Sequence, residues 1–213
     1  MVLNECHRRE WLKRDFWSQI KIKADTEVKK GTTKDEIKEI ITKLDFNNYA
    51  QFRDGVCILL MWETGVRIGT IAGLTFDMVD TEEELIRFEG KIMKNHQALT
   101  LPVTKVLLGL IIKLYEINSK SFDEKNFLFI STGGVESYDS IFIKRICKYR
   151  KLWGIKNINA HSIRRGFAKN LLDNDVPLVY ISKALNHKSL DTTTKYLYID
   201  EQDVINDLRM LKK

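Results

Sequence analysis

His161-Ser-Ile-Arg164-Arg165, followed by Leu185-Asn-His187 and then Tyr196, is the stretch that decides how this chain is read. It puts two histidines, two arginines and a tyrosine into one compact region. A His and an Arg three residues apart project from the same face of a helix, and together they offer charged, forked donors that suit a phosphate. A tyrosine beside such a site could attack that phosphate. Ile163, Phe167 and Leu171 recur every four residues and are expected to face the core, while His161, Arg164, Arg165 and Ala168 fall on another side. Asp175 with Pro177 in the first turn starts a further helix with Leu178, Ile181 and Leu185 inward. Asn186 fits a left-handed cap. Thr192 to Tyr198 is expected to form a short helix. Asp203 to Lys213 is expected to form a last one, whose stripe of Val204, Leu208 and Leu211 needs a partner.

Working upstream, Ser140 to Trp153 reads as a helix with Ile141, Ile143, Ile146 and Tyr149 inward. Lys144, Arg145, Lys148, Arg150 and Lys151 form its polar face, which suits either solvent or a phosphate backbone. Asn126-Phe-Leu-Phe-Ile130 is a short strand or an extended run, and Leu107 to Ile117 is apolar and helical. Leu85-Ile-Arg-Phe-Glu89 and Ala98-Leu-Thr-Leu-Pro-Val103 alternate like strands around a basic turn. A third strand is expected near Asp77 to Asp80, and Pro102 suits the end of an edge strand. Thr33-Lys-Asp-Glu36 is a capping box ahead of Ile37, Ile40, Ile41 and Leu44. A more buried helix spans about Tyr49 to Glu63 and stops at Gly65. Arg67 sits in the turn that follows, and Ile68 to Leu74 forms the third helix. The expected fold is mainly α (α+β), a helical bundle with a small antiparallel β-hairpin sheet. Residues 32–213 make one domain, and residues 1–31 read as a basic linker or arm.

The totals agree with a packed globular chain. It has 213 residues, 44% hydrophobic and 30% charged, so a core is expected. A net charge of +6 favours an anionic partner, nucleic acid first. Cys6, Cys57 and Cys147 are an odd, dispersed set without Cys-x-x-Cys, which argues against a disulfide framework or a zinc knuckle. No apolar run is long enough to span a membrane.

Four features then resemble one family. Glu63-Thr-Gly-Val-Arg67-Ile is similar to the first box of the tyrosine recombinases, also called phage integrases. His161-Ser-Ile-Arg164 is similar to their second-box His-x-x-Arg. Leu185-Asn-His187 through Tyr196, nine positions after the histidine, is similar to their Leu-Gly-His … Tyr ending. The hairpin lies where the family keeps a catalytic lysine. The resemblance covers about Thr33 to the C-terminus and rests on the joint occurrence of motifs that are each weak alone. The chain departs from the pattern at Thr70, where a glutamate is usual, at Arg165, where a histidine is usual, and at Asn186, where a glycine is usual.

The resemblance implies strand exchange on double-stranded DNA with no metal or other cofactor. Tyr196 would be the nucleophile, attacking a scissile phosphate to leave a 3′-phosphotyrosine and a 5′-hydroxyl. Arg67 and Arg164 would clamp the non-bridging oxygens with His187. His161 would accept the tyrosine proton, because a phenol with a pKa of about 10 needs help at neutral pH. A hairpin lysine would protonate the leaving oxygen. Lys94, eight residues before Pro102, is preferred, and Lys91 after Gly90 is the alternative. The resemblance further implies a homo-oligomer, a tetramer, on DNA, with accessory DNA-bending or directionality proteins and no membrane partner. It places the protein at the cytoplasmic nucleoid. Residues 1–31 would be the end of a preceding DNA-binding domain. Two rival readings are a DNA-binding regulator with the same fold but no activity, and a topoisomerase that shares the cleavage chemistry. A pure binder has no need of the tyrosine, and supercoil relaxation without a second site would mark the topoisomerase.

Overall fold

The computed structural model describes residues 2–11, 13, 29–122, 127–187, 189–194 and 197. The centre of the architecture is a helix that is apolar on almost every side. Here α1 spans Val2–Arg8, α2 Lys34–Lys43 and α3 Tyr49–Thr64. α2 begins on the expected capping box, with Thr33 accepting from the Glu36 amide and the Glu36 carboxylate accepting from the Thr33 amide. Its Ile37 and Ile40 are buried. α3 buries Phe52, Val56, Ile58, Leu60 and Met61 around its whole circumference, as a central helix must. It packs against α2, a short α4 (Ile68–Ala72), α5 (Lys105–Ser121), α6 (Asp139–Trp153) and α7 (Ala160–Asp173).

A three-stranded antiparallel sheet follows α4, made of β1 (Val79–Asp80), β2 (Leu85–Phe88) and β3 (Leu99–Pro102) in that order. Ile86 pairs with Leu101 and Phe88 with Leu99. Ile86 and Phe88 are fully buried while Arg87 between them reaches out to Asp80, the period-2 signature of a half-buried strand. The third strand and the edge position of Pro102 stand as expected.

Two apolar clusters form the core. The main one gathers α2 to α6, the sheet and Ile163. The smaller one holds Phe167, Ala168, Ile181, Leu185 and Leu197, beneath α8 (Leu178–Ala184) and α9 (Leu190–Thr194). α7 therefore spans the seam between them.

Several local expectations need correction. Ala168 does not share an outer face with Arg165, because it is fully buried in the smaller cluster. Arg145 does not face outward with Lys144 and Lys148. It turns in to Asp54 and Tyr149, where a buried carboxylate outweighs solvation of the guanidinium. Asp175 is not a cap: it sits at φ 59°, and Pro177 precedes α8 without a side-chain cap. Of the two alternatives at 126–130 the extended run holds over its described part, with Phe127 and Ile130 making isolated bridges to Thr75 and Glu136. α9 covers Leu190–Thr194, and Tyr196, Tyr198 and the expected helix at 203–213 lie outside the described residues. No helix among the described residues is long and apolar enough to cross a membrane.

Candidate active site

Gly65 builds the first wall of the site. It ends α3 at φ 62°, and a Cβ there would strike the Phe167 ring, so both conformation and space call for glycine. The turn aims the Gly65 carbonyl at α7 and brings Arg67 to the N-terminus of α4. Arg164 crosses the seam from α7 and is 3% exposed. Its guanidinium donates to Gly65 O and, at 2.6 Å, to Leu185 O, so one side chain fastens the end of α3 to the end of α8.

His187 follows directly. Arg164 Nη2 lies 3.1 Å from His187 Nε2, and His187 Nδ1 lies 2.9 Å from the buried Thr193 Oγ1. A guanidinium can only donate, so Nε2 is the acceptor and the proton sits on Nδ1, facing Thr193. Burial, with the charges of Arg164 and Arg67 next in importance, pushes the His187 pKa down to about 4. The imidazole is thus held neutral at neutral pH. His161, one turn before Arg164, is likewise pushed below the usual histidine range. Partial burial is the main cause, with Arg165, Arg164, Arg67 and Lys94 adding repulsion.

A cleft of about 600 Å³ opens beside these groups, lined by Arg67, Thr70, Lys91, Lys94, Asp139, His161 and Arg164 among others. A smaller pocket of about 300 Å³ is lined by Arg67, Lys94, Asn95, Asn186, His187 and Thr192. Arg67 and Lys94 line both. Five of the six residues expected from the sequence therefore come together. The two hairpin lysines differ in their neighbours: Lys91 is engaged by Glu89 at 2.5 Å, and Lys94 lines both pockets, with His161 in one and His187 in the other. Tyr196, the sixth, lies outside the described residues. Leu197 is buried in the smaller cluster, and its amide donates to Thr193 O at 3.1 Å.

The sequence reading missed three features. Thr193 holds the His187 tautomer, and only its place in the helical phase set it apart from Thr192 and Thr194. Asn186, φ 51°, is the expected left-handed residue, but its side chain also pairs with Asn95 across the site. Residues 30–32 are stitched to α7: Arg165 and Asn157 donate to Lys30 O, and Thr32 N donates to Ser162 O at 2.8 Å. A Cβ on Gly166 would collide with Thr32 O, so glycine permits that crossing.

Comparison with known proteins follows the same lines. The chain is 32% identical to the tyrosine recombinase XerC of Rickettsia prowazekii (strain Madrid E) over 149 residues, 70% of this chain and 48% of that protein. It is 24% identical to XerC of Proteus mirabilis over 185 residues, covering 84% of this chain and 58% of that one. The chain thus spans about half the length of these relatives. In structure it is similar to XerA recombinase, with TM-score 0.75 and 20% identity over 88% of this chain and 67% of that one. It is also similar to the Tn1549 transposon integrase in complex with a circular intermediate DNA, with TM-score 0.75 and 14% identity over 99% and 75%. XerH bound to its difH substrate matches with TM-score 0.71 and 18% identity, over 100% and 63%. These likenesses establish the fold as that of tyrosine-recombinase catalytic domains. The model of the phage integrase family matches residues 30–203, most of the chain, and with the motifs above this makes the chain a member of that family.

Proposed function

We propose that the protein is a site-specific DNA recombinase that cleaves and rejoins double-stranded DNA through a 3′-phosphotyrosine. The observation that carries this reading is the convergence of Arg67, Lys94, His161 and Arg164 on one cleft, with Arg164 hydrogen-bonded to His187. Phosphoryl transfer needs positioning and charge stabilisation above all. Arg67 and Arg164 supply permanent charge for the non-bridging oxygens. His187, neutral in the resting site, gains a proton when phosphate enters, since a nearby anion favours the charged imidazole. Its Nε2 then donates to an oxygen instead of accepting from Arg164.

In the proposed step the Tyr196 oxygen bonds to phosphorus and the bond from phosphorus to the 5′-oxygen breaks. His161 takes the phenol proton and Lys94 gives one to the leaving oxygen. A His161 pKa held low by partial burial, with the surrounding cations adding to it, leaves it unprotonated and ready to accept at neutral pH. Attack by a partner strand's 5′-hydroxyl reverses the step, so the bond energy stays in the intermediate. Tyr196 enters on its position nine residues after His187, at the end of the family's last motif. The relatives' designation as tyrosine recombinases supports the activity, and the DNA in the XerH and Tn1549 structures supports the substrate. The reading extends to a homotetramer on DNA assisted by DNA-bending or directionality proteins. It also extends to a phage or other mobile element as source, action at the cytoplasmic nucleoid, and residues 1–31 as the end of a preceding DNA-binding unit.

The test uses nicked duplexes of random sequence, which trap the cleaved state because the short released strand diffuses away. Wild-type protein should recover a subset as covalent adducts. Tyr196→Phe should recover none, and Tyr198→Phe should match wild type. An adduct with Tyr196→Phe would overturn the choice of nucleophile.

A further inference from the structure

Asn186 stands where the family motif has glycine, and it carries a side chain that glycine lacks. Its amide faces Asn95 in the loop between β2 and β3. Asn95 Nδ2 donates to Asn186 Oδ1 at 2.7 Å, and Asn186 Nδ2 donates back to Asn95 Oδ1 and to Gln97 O, both at 3.1 Å. Asn95 Nδ2 also lies 3.3 Å from Asn186 O. Asparagine matches asparagine in this way because each amide carries donor and acceptor side by side. The left-handed backbone of Asn186 turns its side chain toward the hairpin, and asparagine tolerates that conformation.

Both ends of this pair adjoin functional residues. Asn95 follows Lys94, and Asn186 precedes His187. On the helical side the anchor is firm, because Arg164 grips Leu185 O and His187, and Thr193 holds the other face of the ring. On the hairpin side Met93 is buried in the main core and fixes the start of the loop, and the residues after it are exposed or half-buried. Lys94 is exposed, His96 sits at φ 57°, and His96 N donates to Met93 O at 3.0 Å. Residues 94–97 are thus a short, polar segment whose described contacts with the His187 turn run through Asn95, Gln97 O and Asn186.

We infer that the Asn95–Asn186 amide pair is a positioning latch, which holds the Lys94 loop against the His187 turn so that the lysine is placed for leaving-group protonation before DNA binds. Neither asparagine touches the phosphate; both act through Lys94. The inference rests on the recombinase reading for its chemistry, and its structural half stands without that reading.

Two measurements test it on the full chain. The first is hydrogen exchange of the 93–98 amides without DNA. Asn186→Gly keeps the left-handed turn while removing the amide, and Asn95→Ala removes the other half. Each should speed exchange in 93–98 by about tenfold, the scale of roughly one net hydrogen bond, and leave 85–88 unchanged. The second is cleavage of a captured nicked duplex, with either ordinary phosphate or a bridging sulfur at the 5′ position. A thiolate leaves without a proton, so a fault in proton delivery disappears on the sulfur substrate. Asn186→Gly should slow cleavage about tenfold on phosphate and less than about twofold on sulfur, as expected for misplaced general-acid catalysis. Unchanged exchange in both variants would overturn the latch. Faster exchange with equal loss on the two substrates, or with no loss on either, would overturn its link to Lys94. If wild type forms no adduct with any duplex, the recombinase reading fails, and the exchange result alone decides whether the latch exists.

Discussion

Among the described residues two arginines are almost fully buried, and they are held in different ways. Arg53, in α3, is 2% exposed and pairs with Asp54 at 2.9 Å. Arg145 and the Tyr149 hydroxyl converge on the same carboxylate, and Arg53 also donates to Ile130 O at 2.8 Å. Arg164, in α7, is 3% exposed, and its described contacts are two main-chain carbonyls and a neutral imidazole. The first arginine is neutralised where it sits. The second is oriented by the dipoles of two main-chain carbonyls at the edge of the cleft. Both arginines join elements, but Arg53 does so around a buried carboxylate remote from the cleft, while Arg164 lines the cleft itself, and buried charge is costly unless something compensates it.

The sharpest way to break this comparison is to remove each group in turn. Arg164→Met should lower adduct formation by about a thousandfold or more, the scale for loss of a preorganised charge at a phosphoryl transfer site. Gel assays of the covalent complex measure it, and a loss below tenfold would place Arg164 with Arg53 as a structural cation. Asp54→Asn should do the reverse. It leaves two arginines without their carboxylate and should cost about 3–5 kcal/mol of stability, roughly a 10 °C fall in melting temperature. Cleavage by the protein that remains folded should stay within about twofold.

A smaller effect is tied to pH. The folded His187 pKa of about 4 lies below the unfolded value of 6.5. Between those values the unfolded chain binds a proton that the folded chain refuses, so stability falls as pH drops from 6.5 toward 4. His161 shifts in the same direction and adds to the slope. His187→Gln should flatten the melting-temperature profile across that window. A slope identical to wild type would mean that the ring is not held neutral.

The mildest prediction concerns the outer face of α6. With Arg145 drawn inward, the exposed cations there include Lys144, Lys148 and Lys151. If they face DNA, Lys144→Gln with Lys148→Gln should reduce the salt dependence of binding by about two units of slope, without sequence preference. An unchanged slope would make this a solvated face.

How far the sequence could be read follows the same division. The α2 cap, the apolar period of α3, the alternation of β2 and the helix stop at Gly65 are local, so neighbouring residues suffice to specify them. Arg67, Lys94, His161, Arg164 and His187 were legible as a candidate set because they occurred in motifs of recognisable order. The inward turn of Arg145 was not legible. Its partner Asp54 lies 91 positions away, and nothing in a run of basic residues marks the one that turns in. The available signal was Arg53-Asp54 itself, a charged pair inside an apolar helix, which implies buried compensation somewhere. Thr193 and the Asn95–Asn186 pair were equally hidden, since hydrogen bonds between distant side chains depend on how helices and hairpin dock.

The sequence alone thus determined which elements form, where Arg67 and Arg164 enter the fold, and which family the chain joins. It did so because helix caps, hydrophobic periods and short motifs act within a few residues. Only the tertiary structure decided that Arg53 and Arg145 share the Asp54 carboxylate, which nitrogen of His187 carries the proton, and how the Lys94 loop meets the His187 turn. Those depend on the distance and orientation of groups far apart in the chain, and burial changes the free energy of each charge and hydrogen bond.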